Sequence, residues 1–212
     1  MYSKEVRSVD FSATAEGRMI SGYALKFNTA SNLIKSGNES FIEIIMPGAI
    51  TEQFIYTQDV KCLFNHNSDG GILARSKNGK GTLSLTVDEV GLFYSFRAKK
   101  SPLDEQVLQS IKAGDITGSS FAFSVASGGD KWERSGSQLI RRIYKMKGFF
   151  DVSPVIDPAY NSSSVSARSI RQATEDEELR LYYEDIRSRY GITSREQELK
   201  EYYANLKKQY NL

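Results

Sequence analysis

The chain has 212 residues, of which 40% are hydrophobic and 11% aromatic, and this is ordinary for a globular protein with one sizeable core. Its formal net charge of +2 argues against a nucleic-acid partner, because phosphate binding normally needs a basic stripe. We therefore interpret the basic segments KNGKGT and LIRRIYKMKG as solvated strand edges. No apolar run approaches the roughly 18 residues of a membrane span, and the start lacks the apolar stretch of a signal peptide. We expect no membrane partner and a cytosolic protein.

The N-terminal half alternates apolar and polar residues in a way that predicts a series of β-strands. The segment VRSVDF alternates well enough to add an edge strand. Further strands are predicted at residues 18–27, 40–46, 59–65 and 72–76, followed by a hairpin of residues 82–87 and 91–98. The segment PGAITEQFIY predicts a short helix with Pro47 in its first turn. So many strands indicate a mostly antiparallel β-barrel or curled sheet.

The next segment adds a helix and the strand that carries two adjacent serines. Apolar residues at helical spacing in PLDEQVLQSIKA predict a helix over residues 102–113, which Gly114 ends. The stretch KAGDITGSSFAFSV then turns and runs into a strand, SGGD forms a loop, and residues 138–155 return as one or two strands. The fold class is therefore predicted to be α+β, with helices around the barrel or sheet.

The last part of the chain differs in composition. From residue 172 the charge rises and tyrosines cluster, and a 20-residue repeat relates residues 178–192 to residues 198–212. Each copy makes one apolar helical face, which predicts a hairpin of two amphipathic helices. We expect a domain over residues 1–168 and a charged, tyrosine-rich helical appendage over residues 169–212. The appendage docks either on the domain or on a partner such as another copy, scaffold or shell protein.

Chemistry is indicated by two serines, Ser119 and Ser120, and by His66, the single histidine of the chain. A hydroxyl, an imidazole and a carboxylate can form a hydrolytic relay on any fold that brings them together. Successive residues of a strand face opposite sides of the sheet, so only one of the two serines can point at His66. Asp151 lies at the end of a third candidate strand and is the candidate for the carboxylate. Its rivals, Asp69 and Asp157, are interpreted as turn residues.

Metal and thiol chemistry are not expected. One histidine and one cysteine cannot furnish the usual zinc ligand sets. Cys62 is the single cysteine, so no internal disulfide can form, which fits a reducing compartment. It lies within the apolar run VKCLF and is interpreted as a small buried hydrophobic residue. No metal or organic cofactor is predicted.

Four segments in order resemble a known family. They are VKCLFNHN with a basic turn after it, GLFYSFRA, LDEQVLQSIKAGDITGSSFAF and FDVSPVIDPAYNSSS. From about Gly22 to Ser166 the chain resembles the tailed-phage prohead (procapsid) maturation proteases, serine peptidases related in fold to herpesvirus assemblins. The resemblance implies an assemblin-like fold.

The resemblance also implies a role for each candidate site residue. Ser120 matches the nucleophile of the family's Ser-Phe-Gly-Phe pattern, although Ala122 stands where the glycine is usual, and Ser119 is the fallback nucleophile. His66 matches the general base. Asp151 matches the acidic residue before Val-Ser, which orients the histidine.

The implied function is a serine endopeptidase of procapsid maturation. It would cleave scaffold, the major capsid protein's scaffolding segment, or both, and then itself, inside the procapsid in the host cytoplasm. Self-association as a homodimer is expected from the related assemblins. Oxyanion donors could be backbone amides near DPAYN or a water held by Arg141 or Arg142.

Two other functions stay open. One is a non-catalytic capsid-assembly protein that binds scaffold and keeps a relic protease fold. The other is a small β-barrel that binds single-stranded nucleic acid through aromatic residues and basic loops, which the near-neutral charge disfavours.

Overall fold

The computed structural model describes residues 4–9, 13–36 and 39–156. The strands, in chain order, are β1 (Glu5–Val9), β2 (Thr14–Glu16), β3 (Met19–Lys26), β4 (Ile34–Ser36), β5 (Glu39–Ile45), β6 (Asp59–Cys62), β7 (Ala74–Lys77), β8 (Lys80–Gly81), β9 (Leu83–Val87), β10 (Gly91–Arg97), β11 (Gly118–Val125), β12 (Asp130–Ser135), β13 (Gln138–Ile143) and β14 (Met146–Val155). Two helices, α1 (Glu52–Tyr56) and α2 (Pro102–Ala113), complete the described part. The predicted helical appendage of residues 169–212 lies outside the described residues.

The strands form three sheets. The first has the order β1-β11-β14-β6-β7-β8, the second β2-β3-β10-β9 and the third β12-β13-β5-β4. Pairing is antiparallel except between β5 and β13 and between β6 and β14. The prediction of a mostly β, mostly antiparallel fold is confirmed, and the described residues form few helices. A closed barrel is wrong for the described residues, because each sheet keeps open edges and the first one ends in β8, a strand of two exposed residues.

Several local predictions are confirmed. The N-terminal segment forms the edge strand β1, and β9 pairs with β10 as the predicted hairpin. Helix α2 has the predicted bounds. The Ser101 side chain accepts from the Asp104 amide at its start, and Gly114 ends it with a φ of +84°, a left-handed conformation that glycine adopts without strain.

Other local predictions are wrong. Pro47 lies in a turn, and α1 starts later, at Glu52, because Thr51 accepts a hydrogen bond from the Phe54 amide and caps the helix there. Strand β6 ends at Cys62 rather than at residue 65, and the chain turns at Asn65 and His66, both of which have positive φ. The loop predicted at residues 127–130 runs into β12, which was not predicted.

The hydrophobic core draws on all three sheets and on α2. Phe121 of β11 stacks on Phe149 of β14, with ring centroids 5.9 Å apart. From the second sheet Leu92 and Tyr94 are fully buried, and Val107 of α2 is equally buried. Each such side chain contributes roughly 1.5–3 kcal/mol by leaving water. Strand β11 is therefore a central element, packed on both faces.

Candidate active site

Strand β11 presents its two serines to opposite faces of the first sheet, as strand geometry requires. Both serines are fully buried. The Ser119 hydroxyl hydrogen-bonds the hydroxyl of Tyr94, on the second sheet, at 2.8 Å. The Ser120 hydroxyl faces the other way, and its Oγ lies 2.5 Å from Nε2 of His66. Ser119 therefore links the first and second sheets through its hydrogen bond with Tyr94, whereas Ser120 contacts the imidazole of His66.

Strand β14 supplies the carboxylate through its register with β11. Ser153 lies directly opposite Ser120, and Asp151 lies opposite Ala122. Residues two apart on a strand share a face, so Asp151 and Ser153 point to the same side of the sheet as Ser120. The Ser153 hydroxyl donates to Oδ1 of Asp151 at 3.1 Å and lies 3.3 Å from Nδ1 of His66.

His66 reaches this face from the loop after β6. The loop continues the parallel pairing with β14, because the Leu63 amide donates to the Val152 carbonyl and the Asn65 amide to the Pro154 carbonyl, each at 3.1 Å. Asn65 and His66 then adopt φ values of +50° and +57°. A positive φ costs a histidine energy and persists only where surrounding contacts enforce it. The backbone bonds to β14 supply those contacts.

The three candidate side chains form one continuous chain of hydrogen bonds. Nδ1 of His66 contacts Oδ1 of Asp151, and Nε2 of His66 contacts Oγ of Ser120. The imidazole is 19% exposed, whereas the carboxylate is 2% exposed. A neutral imidazole that donates from Nδ1 to a carboxylate carries its lone pair on Nε2, and there it can accept a proton from a hydroxyl.

Asp151 is held as a charged carboxylate by its neighbours. Burial alone would raise its pKa, but the hydrogen bond and electrostatic interaction with His66, together with the contact with Lys4, outweigh burial and lower it. The Lys4 ammonium group lies 2.9 Å from Oδ2 of Asp151. Both carboxylate oxygens thus have donors, which favours the ionised form.

Cys62 lies next to the site but is buried, as predicted. It is fully buried on β6, beside Val152 of β14. Burial, and to a smaller extent the charge of Asp151, raise the pKa of its thiol well above the ordinary value. A thiol needs its thiolate form for nucleophilic attack, so Cys62 is chemically inert here.

A second cluster of charges lies behind the Ser120 strand. We call Glu5, Arg7, Glu43, Asp130 and Arg141 the charge cluster. Arg7 donates to both oxygens of Glu43, at 2.6 and 2.7 Å, and Arg141 donates to Glu5, Glu43 and Asp130. Burial would lower the pKa of Arg141, but these carboxylates raise it. Four of the five side chains are buried, Asp130 being the exception.

The other sequence candidates lie elsewhere or outside the described part. Asp69 is exposed, in a turn where its amide donates to the Asn67 side chain at 2.9 Å. Arg141 belongs to the charge cluster, and Arg142 pairs with Glu133. Both guanidinium groups are therefore engaged with carboxylates. Asp157 and the DPAYN amides are not among the described residues, so the oxyanion donors remain a prediction.

Sequence reasoning missed three residues that contact the site. Ser153 follows Asp151 by two positions, a spacing that in a strand already signals a shared face. Lys4 gave no signal, because a lysine near a chain start is normally solvated. Arg7 contributes through its backbone, since its carbonyl oxygen accepts a hydrogen bond from Ser120 Oγ at 2.6 Å.

A hydroxyl, an imidazole and a buried carboxylate in series are the arrangement that serine hydrolases use. A scan against protein-family models matches residues 3–177 to the caudovirus prohead serine proteases. The chain belongs to this family, as its motifs predicted. Searches of curated proteins and of solved structures found no significant match.

Two further findings concern only the described residues. No group of three or more histidine, cysteine, aspartate and glutamate side chains is placed to hold a metal ion there. None of the helices in that part is both long and apolar enough to cross a membrane.

Proposed function

We propose that the chain is a serine endopeptidase in which Ser120 is the nucleophile, His66 the general base and Asp151 the group that orients His66. The observation that carries the proposal is the uninterrupted contact from Ser120 Oγ through the imidazole to the Asp151 carboxylate. Membership of a serine protease family supports it independently.

The proposed reaction follows from these contacts. Ser120 Oγ attacks the carbonyl carbon of a peptide bond and forms a C–O bond, while its proton passes to Nε2 of His66. Collapse of the tetrahedral intermediate breaks the C–N bond, and Nε2 returns the proton to the leaving amine. Water then attacks the acyl ester, gives a proton to Nε2 and releases the acid as the serine hydroxyl re-forms. Asp151 stabilises the imidazolium formed in each half.

The proposed substrates are those of procapsid maturation. Family membership implies capsid proteins as substrates and the procapsid in the host cytoplasm as the place of action. We propose that the chain cleaves scaffold, the scaffolding segment of the major capsid protein, or both, and afterwards itself. Self-association as a homodimer stays a prediction.

The test is co-expression of the full chain with its own shell and scaffold proteins, followed by intact-mass measurement of each product. The chain itself and a capsid protein are expected to be shortened by defined segments. Ser120→Ala and His66→Ala are expected to abolish this shortening, whereas Ser119→Ala is expected to preserve it. Shortening that persists in both Ser120→Ala and His66→Ala would refute the assignment. Capsid maturation that proceeds normally with Ser120→Ala would favour the non-catalytic assembly function.

A further inference from the structure

Strand β1 covers the hydroxyl that the proposed reaction needs. Ser120 is fully buried, and its hydroxyl donates to the Arg7 carbonyl oxygen at 2.6 Å. A hydroxyl has one proton, so this bond competes with proton transfer to Nε2 of His66. The same strand occupies the edge of β11, with Ser8 opposite Ser120 in the backbone register. In this arrangement no substrate carbonyl can approach the Ser120 oxygen.

The edge position is where an extended peptide would bind. A strand edge offers unpaired backbone groups, and adding a peptide strand to such an edge is a common mode of recognition. β1 fills the edge antiparallel to β11 over five residues, from Glu5 opposite Phe123 to Val9 opposite Ser119. Any segment that replaces β1 in this register passes directly over Ser120.

Side chains hold β1 in place through the charge cluster. The Glu5 carboxylate accepts hydrogen bonds from Arg141 at 2.5 and 3.1 Å, and Arg7 donates two hydrogen bonds to Glu43. The guanidinium group of Arg7 also lies 5.5 Å from the centre of the Phe123 ring. The edge of β11 therefore accommodates a strand that carries a carboxylate and, two residues later, a guanidinium group on the same face.

The charge-cluster residues outside β1 also form ion pairs with one another. Arg141 donates to Glu43 at 3.0 Å and to Asp130 at 2.7 Å. Glu5 and Arg7 carry opposite charges, so their departure leaves the formal charge of the cluster unchanged. An incoming strand with the same two charges would restore every ion pair that β1 makes.

We propose that β1 is an internal occupant of the substrate strand position, and that the substrate is an extended peptide with an acidic residue followed, two positions later, by arginine. This proposal depends on the proposed function, because it names the segment that reaches Ser120. As part of the chain, β1 competes at an effective concentration of about millimolar. A substrate confined with the enzyme in one particle would compete on similar terms, whereas a dilute peptide would not.

The first experiment measures binding rather than activity. The full chain carrying Ser120→Ala is titrated against a fluorescent peptide of residues 3–9, SKEVRSV, with anisotropy as the readout. The same measurement is made after adding Arg7→Ala, and separately after adding Glu5→Gln, each of which weakens the hold on β1. Glu133→Gln is the matched control, because it removes a carboxylate that pairs with Arg142 away from β1.

The expected result is binding about tenfold or more tighter once β1 is weakened, with the control unchanged. Two further peptides, SKQVQSV and SKRVESV, remove or reverse the two charges and are expected to bind at least about tenfold more weakly than SKEVRSV. Melting curves identify a variant that fails to fold, in which case the other β1 variant decides. Equal binding before and after β1 is weakened, or equal binding of the three peptides, would overturn the proposal.

A second readout separates this proposal from the proposed function. In chains that keep Ser120, the rate of labelling by a fluorophosphonate probe is expected to rise with Arg7→Ala or Glu5→Gln. If labelling is absent in every variant while binding still depends on the charges of the peptide, the catalytic assignment fails. The proposal that β1 occupies the substrate strand position is then retained. Labelling that is detectable and equally fast in wild type and both β1 variants would show that β1 does not cover the serine and would overturn the proposal.

Discussion

The two adjacent serines allow a sharp test, because the structure gives them different partners. Ser119→Ala removes a hydroxyl whose partner, the Tyr94 hydroxyl, is fully buried. A buried polar group left without its partner costs about 1–3 kcal/mol. For a chain of about 200 residues, a loss of about 2 kcal/mol lowers the melting temperature by roughly 4–8 °C. Cleavage is expected to continue at temperatures where the variant stays folded.

Ser120→Ala is expected to give the opposite result. It removes the oxygen that lies between His66 and the Arg7 carbonyl. Loss of a catalytic serine lowers kcat on the order of 10⁴-fold or more, so cleavage is expected to stop at temperatures where the variant stays folded. The assays are thermal melting by circular dichroism and product formation by mass spectrometry.

A double variant checks the energetic argument. Tyr94→Phe leaves the Ser119 hydroxyl unpaired, and Tyr94→Phe with Ser119→Ala removes both polar groups. Removing both partners of a buried hydrogen bond costs much less than leaving one unsatisfied, so the double variant is expected to be more stable than the sum of the single effects predicts. The reasoning is refuted if Ser119→Ala abolishes cleavage in a folded protein or if Ser120→Ala cleaves normally.

Four further outcomes are expected. Asp151→Asn is expected to lower kcat on the order of 10³- to 10⁴-fold, with Asp69→Asn as the exposed control that changes nothing. Because the folded-state pKa of Asp151 is lowered from 3.8, the stabilising contribution of its carboxylate is complete above about pH 5 and is lost on acidification. Denaturant titrations in which the stability difference between wild type and Asp151→Asn grew below pH 4 would contradict this. Cys62 is expected to resist a thiol reagent at pH 8 until the protein unfolds, and rapid native labelling would show that it is accessible. Arg141→Met is expected to lower the free energy of unfolding by about 3–5 kcal/mol, because it leaves the buried carboxylates of Glu5 and Glu43 with Arg7 as their one shared arginine partner. An unchanged urea midpoint would show that Arg141 contributes nothing to stability.

Local sequence patterns were sufficient for the elements that surround the site. The helix of residues 102–113 carries its own start and stop signals, Pro102 and Gly114, so its bounds could be predicted. The hairpin of β9 and β10 shows clear alternation and a short turn. Strand β11 could be predicted for the same reason, although it is buried on both faces.

The charge cluster could not be predicted, because charged residues are normally solvated. LIRRIYKMKG was interpreted as a solvated edge, but Arg141 in it is buried and paired with residues up to 136 positions away in the sequence. Strand β12, DKWERS, is polar and mostly exposed, so its pairing with β13 left no apolar pattern to detect. The open sheets have a similar cause, since sheet closure depends on which remote strands pair.

The geometry of the candidate site is mainly a property of strand register. Ser120, Ser153 and Asp151 share a face because β11 and β14 pair with Ser120 opposite Ser153, and a slip of one residue would turn all side chains of one strand to the other face. The core prevents such a slip, because Phe121 and Phe149 stack on the opposite face of the same two strands. Phe149 lies on that face because the register of β11 and β14 shifts between Ala122 and Phe123. The packing of the core therefore fixes the hydroxyl and the carboxylate, and only the imidazole comes from a loop. That loop adopts two positive φ angles and is held by hydrogen bonds to β14, so the strand that carries Asp151 also determines where His66 lies.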